Sequence, residues 1–155
     1  MQILICPDKY RGTATAAAAA QAISDGFPES FSGTVLIPLA DGGEGTLDAL
    51  GGANRVSQVT GPLGEVVSAR WRIARGQAVI EMAEASGLLL AGGPKGNDPL
   101  SATTSGTGEL ISEAKASGAQ RIIVGVGGSA STDGGLGAIR AMEPLIRFGG
   151  VDLLV

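Results

Sequence analysis

The sequence predicts an α/β fold: a mostly parallel, Rossmann-like or flavodoxin-like sheet with helices on both faces and a small antiparallel β-hairpin insertion. Three observations lead there. Apolar, strand-like runs alternate with glycine-rich turns that open helical stretches. Arg121 to Val126 (RIIVGV) is a β-branched run suited to a central strand buried on both faces. Between residues 55 and 82, valine-rich runs are joined by turn residues, the signature of antiparallel pairing.

Taken in order, Gln2 to Cys6 (QILIC), stopped by Pro7, reads as a buried strand. Thr13 precedes an alanine-rich helix over Ala14 to Ser24, closed near Gly26 and Pro28, whose small side chains suit close packing on a sheet. Thr34 to Leu39 is a second strand, and Asp41-Gly42-Gly43-Glu44-Gly45 turns it into a helix at Thr46 to Leu50. Arg55 to Thr60 and Glu65 to Ile73 flank Gly61-Pro62-Leu63-Gly64, a hairpin that Gln77 to Met82 extends into a meander. The α/β alternation resumes at Thr104-Ser105-Gly106-Thr107-Gly108, which opens a helix running to Ala116 and ended by Gly118. Arg121 to Val126 feeds a glycine-rich segment to Gly135 and a helix to Ala141, and Val151 to Val155 is a last strand. The expected segments are 1–54, 55–83 and 84–155.

Composition narrows the chemistry. The 155 residues include 26 Gly, 1 Cys and no His, with 44% hydrophobic residues, enough to build a core. Without His there is no Ser-His-Asp triad, no His-liganded zinc and no imidazole base, so acid–base work falls to carboxylates, Lys or Tyr. The lone Cys6 excludes an internal disulfide and a cysteine zinc cluster. A net charge of −4, without a basic run, argues against nucleic acid as a partner. No segment approaches the length of a membrane helix, and a soluble cytoplasmic protein is expected.

Three loops share one design, in which a strand ends, glycines and small hydroxyl residues follow, and a helix begins: 41–46, 103–109 and 127–135. Glycine lets backbone approach a ligand, and unpaired N–H groups at a helix start attract anions, so the three loops predict a phosphate or carboxylate site. The alternative for such turns is tight packing. Asp41 with Glu44, and Asp133 between glycine pairs, set carboxylates beside these turns, as Mg²⁺-dependent kinases do, although helix N-capping would also explain Asp41 and Asp133. Asp8, Lys9 and Arg11 follow the first strand, at the edge where α/β sheets bind ligands, or form a solvated charged loop. There is no GxxxxGK[ST] phosphate loop. Gly125-x-Gly127-x-x-Ala130 fits the permissive dinucleotide pattern, but the acidic residue expected about 20 positions later has no clean counterpart.

Together these blocks resemble the bacterial glycerate kinases of the first class, two-domain α/β enzymes unrelated to phosphate-loop kinases. Cys6-Pro7-Asp8-Lys9-Tyr10-Arg11-Gly12 is similar to the family's opening A-P-D-S-F-K-G, and Pro38-Leu39-Ala40-Asp41-Gly42-Gly43-Glu44-Gly45-Thr46 to its most recognisable motif. Thr60 to Gly64, Val79 to Ala83, Ser86 to Leu88, Thr104 to Ile111 and Gly125 to Gly135 follow in the family's order. Arg11 stands where Lys is usual and Lys9 where a small residue is usual. The resemblance fades after Glu143, and family members are much longer, so the chain reads as an N-terminal portion.

The resemblance implies ATP-dependent phosphorylation of D-glycerate to phosphoglycerate with Mg²⁺. Asp41 or Asp133 is then the expected base, with Lys9 or Arg11 clamping the glycerate carboxylate or the transferring phosphoryl group. Asp8, Gly42, Gly43, Glu44 and Thr104 are the expected substrate residues. The backbones of Gly106, Thr107 and Gly108 and of Gly127, Gly128 and Ser129 are expected to cradle phosphates, and Glu44 or Glu81 to position the metal. The alternative is a non-catalytic remnant that binds nucleotide or a carboxylate, as a homodimer or with a complementing second chain.

Overall fold

The computed structural model describes residues 2–10, 12–28, 33–142 and 152–155. Two compact units divide the chain, Met1–Asp41 and Gly42–Val155.

The first unit pairs strand β1 (Ile3–Ile5) in parallel with β2 (Thr34–Leu36) across helix α1 (Ala16–Asp25). The ladder runs on past both strands through Ile37 N–H to Ile5 O and Leu39 N–H to Pro7 O, both 2.9 Å. Pro7 donates nothing but its carbonyl still accepts, so the proline ends β1 without ending the pairing. Helix α1 starts two residues later than alanine propensity suggests. Tyr10 and Ala14 exchange backbone hydrogen bonds in a tight turn through Gly12, which spends Ala14 outside the helix. Thr15, not Thr13, is therefore the cap, its Oγ1 accepting from Ala18 N–H at 3.1 Å. Ala19 and Ala20 form the buried stripe. Strand β1 is buried only at Ile5, and Leu4 is 60% exposed, so the expectation of a wholly buried strand is corrected.

In the second unit the strands β3 (Arg55–Thr60), β4 (Val66–Ala74), β5 (Gln77–Glu81), β6 (Arg121–Gly125) and β7 (Asp152–Leu154) lie in that spatial order. The pairs β3–β4 and β4–β5 are antiparallel, β5–β6 and β6–β7 parallel. The meander is thus continuous with the parallel strands. Its second turn is Arg75-Gly76, both at positive φ (51° and 76°), as a two-residue type I′ hairpin requires.

Short helices α2 (Thr46–Ala49), α3 (Ala83–Ser86) and α4 (Gly93–Gly96) precede the longer α5 (Ser105–Ala116) and α6 (Leu136–Met142). Helix α5 lays Leu110 and Ala114 on the sheet, where they join Val59, Ala69, Trp71, Ala78, Ile80, Ile122 and Val124 in one buried cluster. Trp71 is fully buried, and its indole N–H donates to Ser57 Oγ at 2.8 Å, so the largest side chain of the core carries no unpaired donor. No helix among the described residues is long and apolar enough to cross a membrane.

Leu110 is fully buried between α5 and the sheet. Leu110→Ala is expected to lower unfolding free energy by about 2–5 kcal/mol, read by urea unfolding with Trp71 fluorescence. Val66→Ala, at an exposed position, is expected to stay within about 0.5 kcal/mol.

Candidate functional site

In the first unit, Asp8 and Asp41 follow the carboxyl ends of the adjacent parallel strands β1 and β2. Lys9 lies between them: its Nζ donates to Asp41 Oδ1 at 3.0 Å and is 4.0 Å from Asp8 Oδ1. The Lys9 side chain is only 14% exposed, whereas Asp41 is 59% exposed. Asp41 thus keeps a solvent-accessible carboxylate that accepts from a largely buried lysine. Arg11 lies outside the described residues.

In the second unit, β5 and β6 are parallel neighbours, and their carboxyl ends bring together the loops at 42–46 and 126–135. Gly127 N–H donates to Gly42 O at 2.8 Å. A Cβ on Gly127 would stand 2.5 Å from Gly43 Cα, and one on Gly125 2.6 Å from Gly42 O, so the loops close on each other only because both positions lack a side chain. The half-buried Glu44 carboxylate lies against Gly128, which has positive φ (75°). Nothing among the described residues accepts from the backbone N–H of Gly128 or Ser129. Two donors therefore stand open beside a carboxylate. Gly127, by contrast, has its N–H committed to Gly42, which corrects its place in a phosphate cradle.

Glu81 ends β5, 4% exposed, and its Oε2 accepts from Gly45 N–H at 3.1 Å and Leu47 N–H at 3.0 Å. That geometry commits one oxygen of the carboxylate, which the sequence offered as a metal ligand, to backbone amides. Burial pushes its pKa up, partly opposed by the Leu47 and Gly45 N–H groups.

Asp133 is a hub. Its Oδ2 accepts from Thr104 N–H, Thr104 Oγ1 and Gly137 N–H at 2.9, 2.8 and 3.1 Å, and its Oδ1 from Ser131 Oγ and Gly135 N–H at 3.1 and 3.0 Å. Burial alone would raise its pKa, but the Thr104, Gly135 and Gly137 donors outweigh it and hold Asp133 at about 2. A carboxylate so engaged is a weak base, and the N-capping role fits Asp133 while the role of general base does not. Thr104 is buried, donates to Asp133 and accepts from Ala138 N–H at 2.9 Å, so its hydroxyl is used internally rather than for substrate.

Gly106, Thr107 and Gly108 lie inside α5 and are buried. A Cβ on Gly106 would collide with Thr60 O and one on Gly108 with Ala138 O, while Thr107 Oγ1 pairs with Ser86 Oγ at 2.9 Å. The side-chain-free faces of Gly106 and Gly108 serve close packing, and the N–H groups of Thr107 and Gly108 are taken by Thr104 O at 3.0 and 3.3 Å, which leaves neither open to a phosphate. The match to a dinucleotide pattern is likewise a packing feature: Gly125 and Gly127 face the 42–43 backbone, and α6 begins only at Leu136. Ser131 and Glu109 were not singled out by sequence. Glu109 accepts from Thr60 N–H and Oγ1, and only the hydroxyl-rich run 129–132 hinted at the network around Asp133.

Open amides and a carboxylate lie at the carboxyl edge of parallel strands in an α/β protein, the edge at which such folds hold their ligands. Residues 3–146 match the Glycerate kinase family, and the chain belongs to that family. It is 51% identical over 92% of its length to a glycerate 2-kinase of Escherichia coli K12 and 49% identical over 92% to a glycerate kinase of Bacillus subtilis 168. The chain spans 39% of the length of each of these two relatives. A crystal structure of a Salmonella typhimurium LT2 protein described as a glycerate kinase 2 superposes with a TM-score of 0.75 at 44% identity, covering 92% of this chain and 40% of that one.

Asp133 titrates below the 3.8 of an ordinary aspartate, so its stabilisation is complete above about pH 4 and is lost as pH falls through about 2. Acid unfolding should show this: Asp133→Asn is expected to be less stable at pH 7 and to lose less on acidification than the unaltered chain. Gly127→Ala, which drives a methyl into the 42–43 backbone, is expected to cost several kcal/mol in urea unfolding, about as much as a large core truncation.

Proposed function

We propose that this chain is the part of a cytoplasmic glycerate kinase that carries the substrate hydroxyl's base and the phosphate-facing loops, for ATP-dependent phosphorylation of D-glycerate to phosphoglycerate. The observation that carries this reading is the 51% identity over nearly the whole chain to a protein named glycerate 2-kinase. The geometry supports it at each unit taken by itself.

Asp41 is the base. Its exposed carboxylate takes the proton of the attacking glycerate hydroxyl as that oxygen bonds to the γ-phosphorus and the bond to the bridging β–γ oxygen breaks, releasing ADP. Lys9, held 3.0 Å from Asp41, orients that carboxylate, and Lys9 and Asp8 face the substrate from the β1 edge. Arg11 adds a cation for the glycerate carboxylate or the phosphoryl group, a role that follows from the family motif. In the second unit the open N–H groups of Gly128 and Ser129 bind phosphate oxygens.

Among the described residues no three acidic or cysteine side chains converge as a metal cage. Mg²⁺ in kinases needs only one or two carboxylates beside phosphate and water oxygens, and Glu44 next to the open amides fits that demand. When bound, the ion neutralises charge on the phosphates.

A second reading follows from the share of the relatives covered: the chain binds nucleotide or glycerate without turnover until a complementing chain or a second copy completes it. Calorimetry with MgATP and D-glycerate, together with an ADP-release assay, separates the two, since turnover supports the first reading and binding alone the second. In a turnover-competent protein, Asp41→Asn is expected to lower kcat by about 10²–10⁴-fold with little change in stability. An unchanged kcat would remove Asp41 as the base.

A further inference from the structure

Glu81 is a buried carboxylate that the proposed chemistry leaves unused. It reaches from the end of β5 to Gly45 N–H and Leu47 N–H, at the start of α2. That helix has no cap of its own, because its N-cap residue is Gly45, in a left-handed conformation (φ 93°) and without a side chain. The four-residue helix and the glycines before it have little intrinsic stability. On the other side the same loop is fastened by Gly127 N–H to Gly42 O. The two attachments bracket Glu44.

We propose that Glu81 is a positioning residue: by supplying the missing cap from the neighbouring strand, it holds the Gly42–Thr46 loop so that the Glu44 carboxylate stays beside the open amides of Gly128 and Ser129. What the loop serves is taken from the proposed function, while the attachment is independent of it. The role needs a hydrogen-bond acceptor at the reach of a glutamate side chain, not a negative charge. Glutamine offers the same acceptor at the same reach. Aspartate is one methylene too short and alanine has no acceptor.

Amide hydrogen exchange on the 155-residue chain tests this. In Glu81→Ala and Glu81→Asp, the Gly45 and Leu47 amides are expected to exchange about tenfold faster, with the amides of β5, β6 and α5 unchanged, and Glu81→Gln is expected to restore slow exchange. MgATP affinity, measured on the same proteins, is expected to weaken in the Ala and Asp variants and to persist in Gln. Unchanged exchange at Gly45 and Leu47, equal acceleration throughout the second unit, or a Gln variant that behaves like Ala would each overturn the positioning role. If the unaltered chain fails to bind MgATP, the proposed use of the loop falls, and the exchange data still decide whether Glu81 holds it.

Discussion

The parallel register of β5 on β6, from Gln77 opposite Arg121 to Glu81 opposite Gly125, is the constraint on which the second unit depends. It ends the two strands side by side, so the segments leaving them emerge at one edge. Met82 N–H continues the pairing to Gly125 O at 2.8 Å, and Leu88 N–H and Ala130 N–H bond to Gly128 O and Ser86 O beyond it. The sheet therefore passes its order into the loops, which are tied by backbone hydrogen bonds before any side chain contributes.

Two carboxylates at that edge do similar work with opposite pH dependence. Asp133 gathers five donors and stays ionised to low pH, so its ionisation favours the folded state. Glu81 has two donors against a buried setting, so its pKa is raised, and ionising it as pH rises above the ordinary glutamate range costs folded stability. Deeper burial with two backbone donors raises the pKa of Glu81, whereas shallower burial with more donors, the Thr104 hydroxyl among them, lowers that of Asp133. In the first unit Asp41 differs from both in being exposed and in having the Lys9 ammonium as a partner.

Much of the architecture was legible because single residues carried it. The β-branched run at 121–126 became the inner strand β6, and the turn at 61–64 joined two antiparallel strands of expected extent. The start of α1 was not legible, because the Tyr10–Ala14 backbone turn that removes Ala14 from the helix leaves no compositional trace. The site was read less well for a related reason. Glycine in a sequence signals that something approaches closely, not whether that is a phosphate or a carbonyl: at Gly106 it is Thr60 O, and at Gly128 the neighbouring amides stay open. Likewise Glu81 and Asp133 find their partners 34 and 29 residues away, at Leu47 and Thr104, beyond any local pattern.

In many α/β proteins the ligand loops vary freely over a conserved scaffold, because a change in a loop leaves the sheet intact. Here the contact of Gly125 and Gly127 with Gly42 and Gly43 removes that freedom. A single added methyl group at the rim meets main chain, not solvent or a yielding side chain. The sequences open to this fold are consequently restricted at this edge of the sheet as well as in its core. Variation at this edge falls instead on residues that already carry side chains there, such as Glu44 and Ser129, while Gly125 and Gly127 stay unaltered.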